Sequence, residues 1–214
     1  VVDSSVISQW ITVDDNMQVT FNQDAVKQYI ADLAAKYDTV GKTRNFTTAT
    51  GNVVQVEGGG YGWKIDQDAE YNALITNIQN AETVTREPNY SSRAATHDAN
   101  DWGTTYAEVD LTAQHMYFIQ NGQIAMQCDI VTGNPNKGNA TPQGMYSLYY
   151  KQQNQVLRGK KLEDGTYEYE SPVDYWMPFN GGIGFHDASW QSAFGGARYQ
   201  TYGSHGCVNM PPAS

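Results

Sequence analysis

The side chains best suited to covalent chemistry lie near the end of the chain. His186 is followed, after a spacer of 17 residues, by the run Ser204-His205-Gly206-Cys207-Val208-Asn209. A thiol attacks as the thiolate, and at its ordinary pKa of roughly 8.5 only a small fraction is ionised near neutral pH. Such a thiol gains most from a neighbouring imidazole that takes its proton. These residue types therefore predict a cysteine nucleophile paired with a histidine base.

Two histidines compete for the role of base. His205 lies two residues before Cys207, and in an extended segment these positions share a face, which would put the ring beside the sulfur without aiming it there. His186 is far enough away in sequence to come from another strand or loop, as nucleophile and base generally do. We therefore predict that His186 is the base.

Backbone groups around this motif are expected to complete the site. Gly206 leaves the approach to Cys207 free of a side chain and permits a positive φ. The N–H groups of Gly206 and Cys207 are predicted to form an oxyanion hole. A neutral imidazole has one donor nitrogen, which needs an acceptor to fix the tautomer. In a strand the Asp187 side chain would point away from His186, so its backbone carbonyl is the predicted acceptor.

His186, the spacer and the run Ser204–Asn209 together resemble the signature of the L,D-transpeptidase catalytic domain. The segments Tyr106–Asp110, Tyr117–Gly122 and Thr141–Gly144 are similar to the first strands and a turn of that domain, so the resemblance covers about residues 105–214. The stretch from Gln18 to Gln79 resembles an accessory domain, associated with peptidoglycan binding, that often precedes it.

The resemblance implies an acyltransferase of peptidoglycan biosynthesis, and hence a role in cell wall biogenesis and cell shape. Cys207 would form a thioester with the third residue of a stem tetrapeptide, releasing D-Ala, and an amine of a neighbouring stem would then form a 3→3 cross-link. Attack by water instead would make the protein an L,D-carboxypeptidase. The resemblance also implies insensitivity to penicillins, a contribution to β-lactam resistance, and acylation of Cys207 by carbapenems.

Further residues are expected to shape the substrate site. Ser204 and Asn209 are predicted to hold the loop and line the site, and His205 either contacts substrate or stabilises the turn. Large rings surround the motif at Trp176 and Trp190. For both tryptophans the sequence leaves two interpretations open, a place in the core or a place in the wall of a substrate groove.

Two other functions are compatible with parts of the sequence. A zinc site with His186, His205 and Cys207 as ligands would leave one position for water. Acyl transfer is favoured over it, because Gly206 and the backbone donors suit that chemistry and no carboxylate or fourth Cys or His accompanies the trio. We therefore predict neither a metal nor a cofactor. A non-catalytic module, in which residues 1–104 bind the cell wall, is the alternative from another functional class.

Composition narrows the partners and the location. The chain has 214 residues and a formal net charge of −10 at pH 7, which argues against nucleic acid or an anionic membrane surface as partner. No apolar run is long enough to span a bilayer. The start at Val1, without a basic and apolar signal segment, suits a fragment of a longer, exported protein. The resemblance implies that this protein lies at the bacterial cell wall, anchored to the membrane through a segment outside the sequence.

The hydrophobic pattern predicts two domains. Apolar residues at helical spacing from Ala25 to Tyr37, with Asn22 as N-cap, and a second helix capped by Asp66 indicate an α+β domain over residues 1–104. From residue 105 the period changes to two, which indicates a mostly-β catalytic domain, a sandwich or a barrel, over residues 105–214. The family pattern continues past Ser214, so this domain is expected to be truncated.

Several local elements are also predicted. The segment from Glu82 to Trp102 is expected to be a linker, and Met145 to Tyr150 a strand. Gln152 to Val173 is expected to form an exposed excursion, such as a hairpin flap over a groove. Cys128 lies on the apolar face of its strand and is predicted to be a core thiol.

Overall fold

The computed structural model describes all 214 residues, and the chain divides into two compact units. The first unit comprises Val1–Val40 and Tyr61–Ala95, and the second comprises Gly41–Gly60 and Thr96–Ser214. The α-helices are α1 (Ser4–Ile7), α2 (Gln23–Tyr37), α3 (Gln67–Gln79) and α4 (Tyr199–Tyr202). The strands are β1 (Ile11–Val13), β2 (Val19–Phe21), β3 (Arg44–Thr47), β4 (Val53–Val56), β5 (Lys64–Ile65), β6 (Tyr90–Ser92), β7 (Tyr106–Asp110), β8 (His115–Gln120), β9 (Gln123–Asp129), β10 (Gln152–Arg158), β11 (Glu170–Asn180), β12 (Ile183–Asp187) and β13 (Val208–Met210).

The first unit is built on the two helices that the sequence predicts. The Asn22 side chain accepts the Ala25 N–H at 3.1 Å at the start of α2, and Asp66 accepts the Ala69 N–H at 3.0 Å at the start of α3. Each cap satisfies a backbone donor that the first helical turn leaves without an intrahelical partner. The apolar sides of the helices then close over a common core of Trp10, Val26, Ile30, Ala34 and Ile65.

Two sheets of the second unit enclose one core, and β3 and β4 form a separate two-stranded sheet in the same unit. The first sheet has the antiparallel order β7-β8-β9, and the second has the order β10-β11-β12-β13, in which only β12 and β13 are parallel. Both sheets contribute to a cluster of Met116, Ile130, Phe179, Phe185, Val208 and Met210. The sheets do not close into a barrel, so the prediction of an α+β region followed by a mostly-β sandwich is confirmed.

Part of the predicted linker belongs to packed structure. Tyr90–Ser92 forms β6 and pairs with β5 in the first unit. In the second unit Asp101 is buried in an ion pair with Arg44 at 2.8 Å, and the Trp102 ring packs at 5.5 Å from that of Phe46. These partners are remote in sequence, so the polar local composition of this segment gave no sign of them. The domain boundary near residue 104 stays a prediction.

Two further predictions concern the chain before the site. The strand predicted from Met145 to Tyr150 is wrong, because this segment joins no ladder and its Tyr149 N–H makes a single bond to the Pro178 carbonyl at 2.8 Å. The excursion predicted from Gln152 to Val173 is present as the β10–β11 hairpin.

None of the helices combines the length and the apolar character that a membrane crossing requires.

Candidate active site

Two strands from distant parts of the sequence bring the predicted nucleophile and base together. His186 in β12 stands opposite Asn209 of the parallel strand β13, and Cys207 immediately precedes β13. His186 and Cys207 both line a cavity of about 370 Å³ in the second unit. Cavities of this size accommodate small organic ligands. The arrangement therefore puts a thiol and an imidazole at one binding space.

The position of the imidazole is fixed by its surroundings. His186 is 3% exposed, and its Nδ1 lies 2.9 Å from the Asp187 carbonyl oxygen. A carbonyl only accepts, so Nδ1 carries the hydrogen and Nε2 keeps a lone pair. Burial lowers the pKa of His186, and the bond to the carbonyl offsets part of this effect. The ring is therefore neutral near pH 7 and has the tautomer that a base at Nε2 requires.

The Asp187 carboxylate has a different partner. Its Oδ1 accepts the Tyr175 N–H at 2.8 Å, from the neighbouring strand β11. The side chain therefore helps to hold β12 against β11, while the carbonyl of the same residue orients the imidazole. This division follows from the alternation of side chains along a strand, which turns the Asp187 side chain away from that of His186.

The thiol is also held in a neutral state. The Cys207 Sγ lies 3.6 Å from the Gly182 carbonyl oxygen, to which the thiol donates. Burial raises the pKa of Cys207, and the nearby Gly184 N–H offsets part of that effect. Near neutral pH the pair is thus a thiol and an imidazole, because an ion pair would require the opposite shift in both groups.

Side-chain hydroxyls hold the backbone of the loop before the sulfur. Ser204 Oγ donates to the Cys207 carbonyl at 2.6 Å and accepts the Gly206 N–H at 3.0 Å. Thr141 Oγ1 donates to the Gly206 carbonyl at 2.7 Å and accepts the Gly133 N–H at 2.9 Å. Because the Gly206 N–H is engaged inside the loop, its oxyanion role stays a prediction, and the Cys207 N–H is the other donor of the predicted pair.

Gly206 itself cannot be replaced without strain. Its φ is +127°, which side chains rarely adopt, and an added Cβ would lie 2.8 Å from Cδ1 of Ile183. Glycine is therefore favoured by the backbone conformation, and any side chain here would also push the end of the Ile183 side chain aside.

His205 faces the β10–β11 hairpin. Its ring stacks on that of Tyr169 with centroids 5.2 Å apart, and its Nε2 lies 3.7 Å from Glu168 Oε1. Burial raises the pKa of Tyr169, and the neighbouring Cys207 adds to the effect.

No group of three or more His, Cys, Asp or Glu side chains is arranged to hold a metal ion.

The two tryptophans have different places. Trp176 is 8% exposed and packs against the His186 ring, with centroids 6.0 Å apart, as part of the core. Trp190 is 47% exposed, lines the cavity, and lies 5.7 Å from the same ring. Of the two interpretations that the sequence left open, core therefore describes Trp176 and groove wall describes Trp190.

Asn209 carries a buried acceptor without a partner. The residue is 2% exposed and belongs to the lining of the cavity, and its Oδ1 is fully buried and has no hydrogen-bond partner. A buried polar atom without a partner costs free energy.

The residues that line the cavity without having been predicted from the sequence include Lys137, Tyr169 and Arg198. Arg198 is the only cationic residue between His186 and Ser204, and this position in the sequence could have identified it as a candidate site residue. Lys137 and Tyr169 come from remote segments, and no local pattern marks them.

The comparisons with known proteins agree with this geometry. A family model described as the L,D-transpeptidase catalytic domain matches residues 104–214, and a second model, of a family named for peptidoglycan binding, matches residues 2–86. A comparison with the curated proteins gives no match.

Two solved structures are similar over nearly the whole chain. A mutant of the Enterococcus faecium L,D-transpeptidase is 37% identical, with 99% of this chain and 83% of that chain covered and a TM-score of 0.73. The avibactam carbamoyl enzyme of Ldtfm is 38% identical, with 99% and 81% covered and a TM-score of 0.74. With a family match over more than half its length and relatives at this identity, the chain belongs to the L,D-transpeptidase family.

Proposed function

We propose that the protein cross-links peptidoglycan by transferring the acyl group of a stem tetrapeptide through a thioester on Cys207. The observation that carries the proposal is that the thiol and the oriented imidazole of His186 line one cavity. The tautomer supports the assignment, because the Asp187 carbonyl occupies Nδ1 and leaves Nε2 to accept a proton.

The first half-reaction begins from the neutral pair. Cys207 Sγ forms a bond to the carbonyl carbon of the third residue of the donor, and the thiol proton passes to His186 Nε2. The carbonyl oxygen becomes an oxyanion beside the Cys207 N–H. The bond to the nitrogen of D-Ala then breaks, His186 returns the proton to that nitrogen, and D-Ala leaves behind a thioester.

The second half-reaction regenerates the thiol. An amine from the side chain of a neighbouring stem attacks the thioester carbonyl, and its proton passes to His186. The C–S bond breaks to give a 3→3 cross-link, and His186 returns the proton to the sulfur. If water attacks instead, the same steps release a tripeptide and the activity is that of an L,D-carboxypeptidase.

Other cavity residues have roles in binding the donor. Asn209, which lines the cavity and stands opposite His186, contacts the donor peptide beside the base. Trp190 forms an exposed wall for the peptide. Ser204 holds the nucleophile loop, and His205 contacts substrate from the side of the hairpin.

Residues 1–104 are proposed as the accessory domain that holds the cell wall, and residues 105–214 as the catalytic domain. The match of residues 2–86 to a family named for peptidoglycan binding supports this division. The protein would act outside the cytoplasm, at the bacterial cell wall. Attachment to a membrane stays a prediction.

We also propose that β-lactam-type inhibitors react at Cys207. The Ldtfm relative is a carbamoyl enzyme with avibactam, and a strained cyclic amide or urea suits attack by a thiol as a peptide carbonyl does. Carbapenems are expected to acylate the same sulfur, whereas penicillins are expected to react poorly.

Mass spectrometry of the intact protein with a disaccharide-tetrapeptide tests the proposed function. We expect release of D-Ala and a mass increase that corresponds to the tripeptide thioester, located on Cys207 after digestion. If the whole protein binds cell wall but releases no D-Ala, the non-catalytic module becomes the better interpretation.

A further inference from the structure

The cavity beside Cys207 carries positive charge without any negative charge. Lys137 and Arg198 line it, and none of its lining residues is Asp or Glu. The whole chain has 23 Asp and Glu against 13 Lys and Arg, so this lining is opposite in charge balance to the rest of the protein. Glu168 approaches His205 from the hairpin but does not itself line the cavity. The excess of cations indicates an anionic ligand group.

Arg198 is held in a fixed orientation by neutral partners. Its Nε donates to Gln191 Oε1 at 2.9 Å, and its guanidinium lies 4.4 Å from the centroid of the Tyr202 ring. Arg198 is half-buried and forms no ion pair with a carboxylate. The guanidinium therefore keeps donors that match the two oxygens of a carboxylate.

Lys137 lines the same cavity from a segment that is bonded to α4. It ends a short 3-10 helix, Pro135–Lys137. Asn136 Nδ2 donates to the Gln200 carbonyl at 2.9 Å, and Asn134 Nδ2 donates to that of Thr201 at 3.3 Å. Because α4 directly follows Arg198, these bonds hold the backbone segments that carry Lys137 and Arg198 next to each other. Lys137 is exposed and acts as a second, weaker positive charge.

We propose that Arg198, assisted by Lys137, binds the free α-carboxylate of the terminal D-amino acid of the donor peptide. This inference rests on the proposed function and names how its donor is selected. The carboxylate follows the scissile carbonyl by one residue, a span of roughly 3.5 Å, so a donor placed at Cys207 puts its carboxylate inside the cavity. A longer donor would put a neutral peptide group there, so the cations select a tetrapeptide over a pentapeptide.

The experiment compares two donors that differ only at the terminal group, a tetrapeptide with a free carboxylate and its C-terminal amide. The measured quantity is kcat/KM for acylation of Cys207, followed by release of D-Ala or D-Ala amide. We expect the intact protein to prefer the carboxylate about tenfold to a hundredfold, the range of a hydrogen bond to a charged group. Arg198→Gln should lose that preference while its rate with the amide stays within about twofold, and Arg198→Lys should restore part of it.

Lys137→Gln should reduce the preference by a smaller factor, about threefold. Lys151 is an exposed lysine outside the cavity lining, and Lys151→Gln should leave the preference unchanged.

Equal rates with the two donors in the intact protein would overturn the inference. An equal loss with both donors in Arg198→Gln would do so too, because it would show a structural role through Gln191 and Tyr202. If Arg198→Gln slowed only the transfer of the acyl group to the amine, that result would also count against the inference, because the cations would then bind the acceptor and not the donor. If the intact protein forms no thioester with either donor, the proposed function fails instead.

Discussion

The second unit contains two pairs of histidine and cysteine, and only one of them lines the cavity. His115 and Cys128 lie on the paired strands β8 and β9, whereas His186 and Cys207 meet at β12 and β13. Burial raises the pKa of both thiols, so the ionisation of the sulfur does not separate the pairs. The difference must lie in the arrangement of the groups.

In the first pair the register turns the groups apart. His115 stands opposite Asp129, and Cys128 stands opposite Met116, so the imidazole and the thiol lie on opposite faces of the sheet. His115 Nδ1 lies 2.7 Å from Asp129 Oδ1, and Cys128 packs against the core cluster. In the second pair both groups line one cavity. Sharing a binding space, more than sharing a strand pair, makes two such residues a site.

The largest difference in activity is expected between substitutions of the two thiols. Cys207→Ala should reduce D-Ala release by about 10⁴-fold or more, because the nucleophile is lost. Cys128→Ala should leave the rate within about twofold and lower the free energy of unfolding by about 1 kcal/mol, since it removes packing only. Both variants are compared by the rate of D-Ala release and by the mass of the protein after reaction with a carbapenem. An adduct that persists at Cys128 in Cys207→Ala would reverse the comparison.

A smaller effect is expected from the two imidazoles. His186→Gln should lower kcat/KM for thioester formation about 10²- to 10⁴-fold, the usual contribution of a positioned base. His115→Gln should change it less than twofold, because its ring contacts Asp129 and Gln127 rather than the cavity. The two variants are compared by their initial rates of thioester formation with the tetrapeptide, and circular dichroism is the control for folding. Comparable losses in both variants would mean that the site is not confined to β12 and β13.

The smallest effect is the pH dependence of thioester formation by the intact protein. Burial lowers the pKa of His186, so its Nε2 stays unprotonated at pH values where an exposed histidine would be charged. We expect the rate to stay level down to the ordinary histidine pKa of about 6.5 and to fall about tenfold per pH unit only below the lowered value. His115→Gln should leave this profile unchanged. A fall that begins above pH 6.5 would contradict the neutral resting pair.

The sequence predicted the elements that depend on local chemistry. The caps Asn22 and Asp66 mark the starts of α2 and α3, because a short polar side chain satisfies nearby backbone donors wherever the helix lies. The alternation after residue 105 likewise indicated strands with one apolar face. The strand expected from Met145 to Tyr150 was wrong, since a run of apolar residues does not say whether a partner strand is available.

The candidate site was predictable in part for the same reason. The thiol, the imidazole and the adjacent glycine of the motif carry their chemistry in their residue types. The hydrogen bond from the Gly206 N–H to Ser204 and the cations at Lys137 and Arg198 were not foreseen. Each depends on how a loop folds back or on which remote segment approaches the cavity.

The sequence by itself determined that a thiol, an imidazole and a glycine beside the thiol would be present, because these are properties of single residues and their immediate neighbours. Only the tertiary structure decided that Trp176 belongs to the core while Trp190 lines the cavity, and that two positive charges line the same cavity as the thiol. The physical reason is that strand register and the packing of distant segments set which faces meet, and both arise from contacts that no local pattern contains.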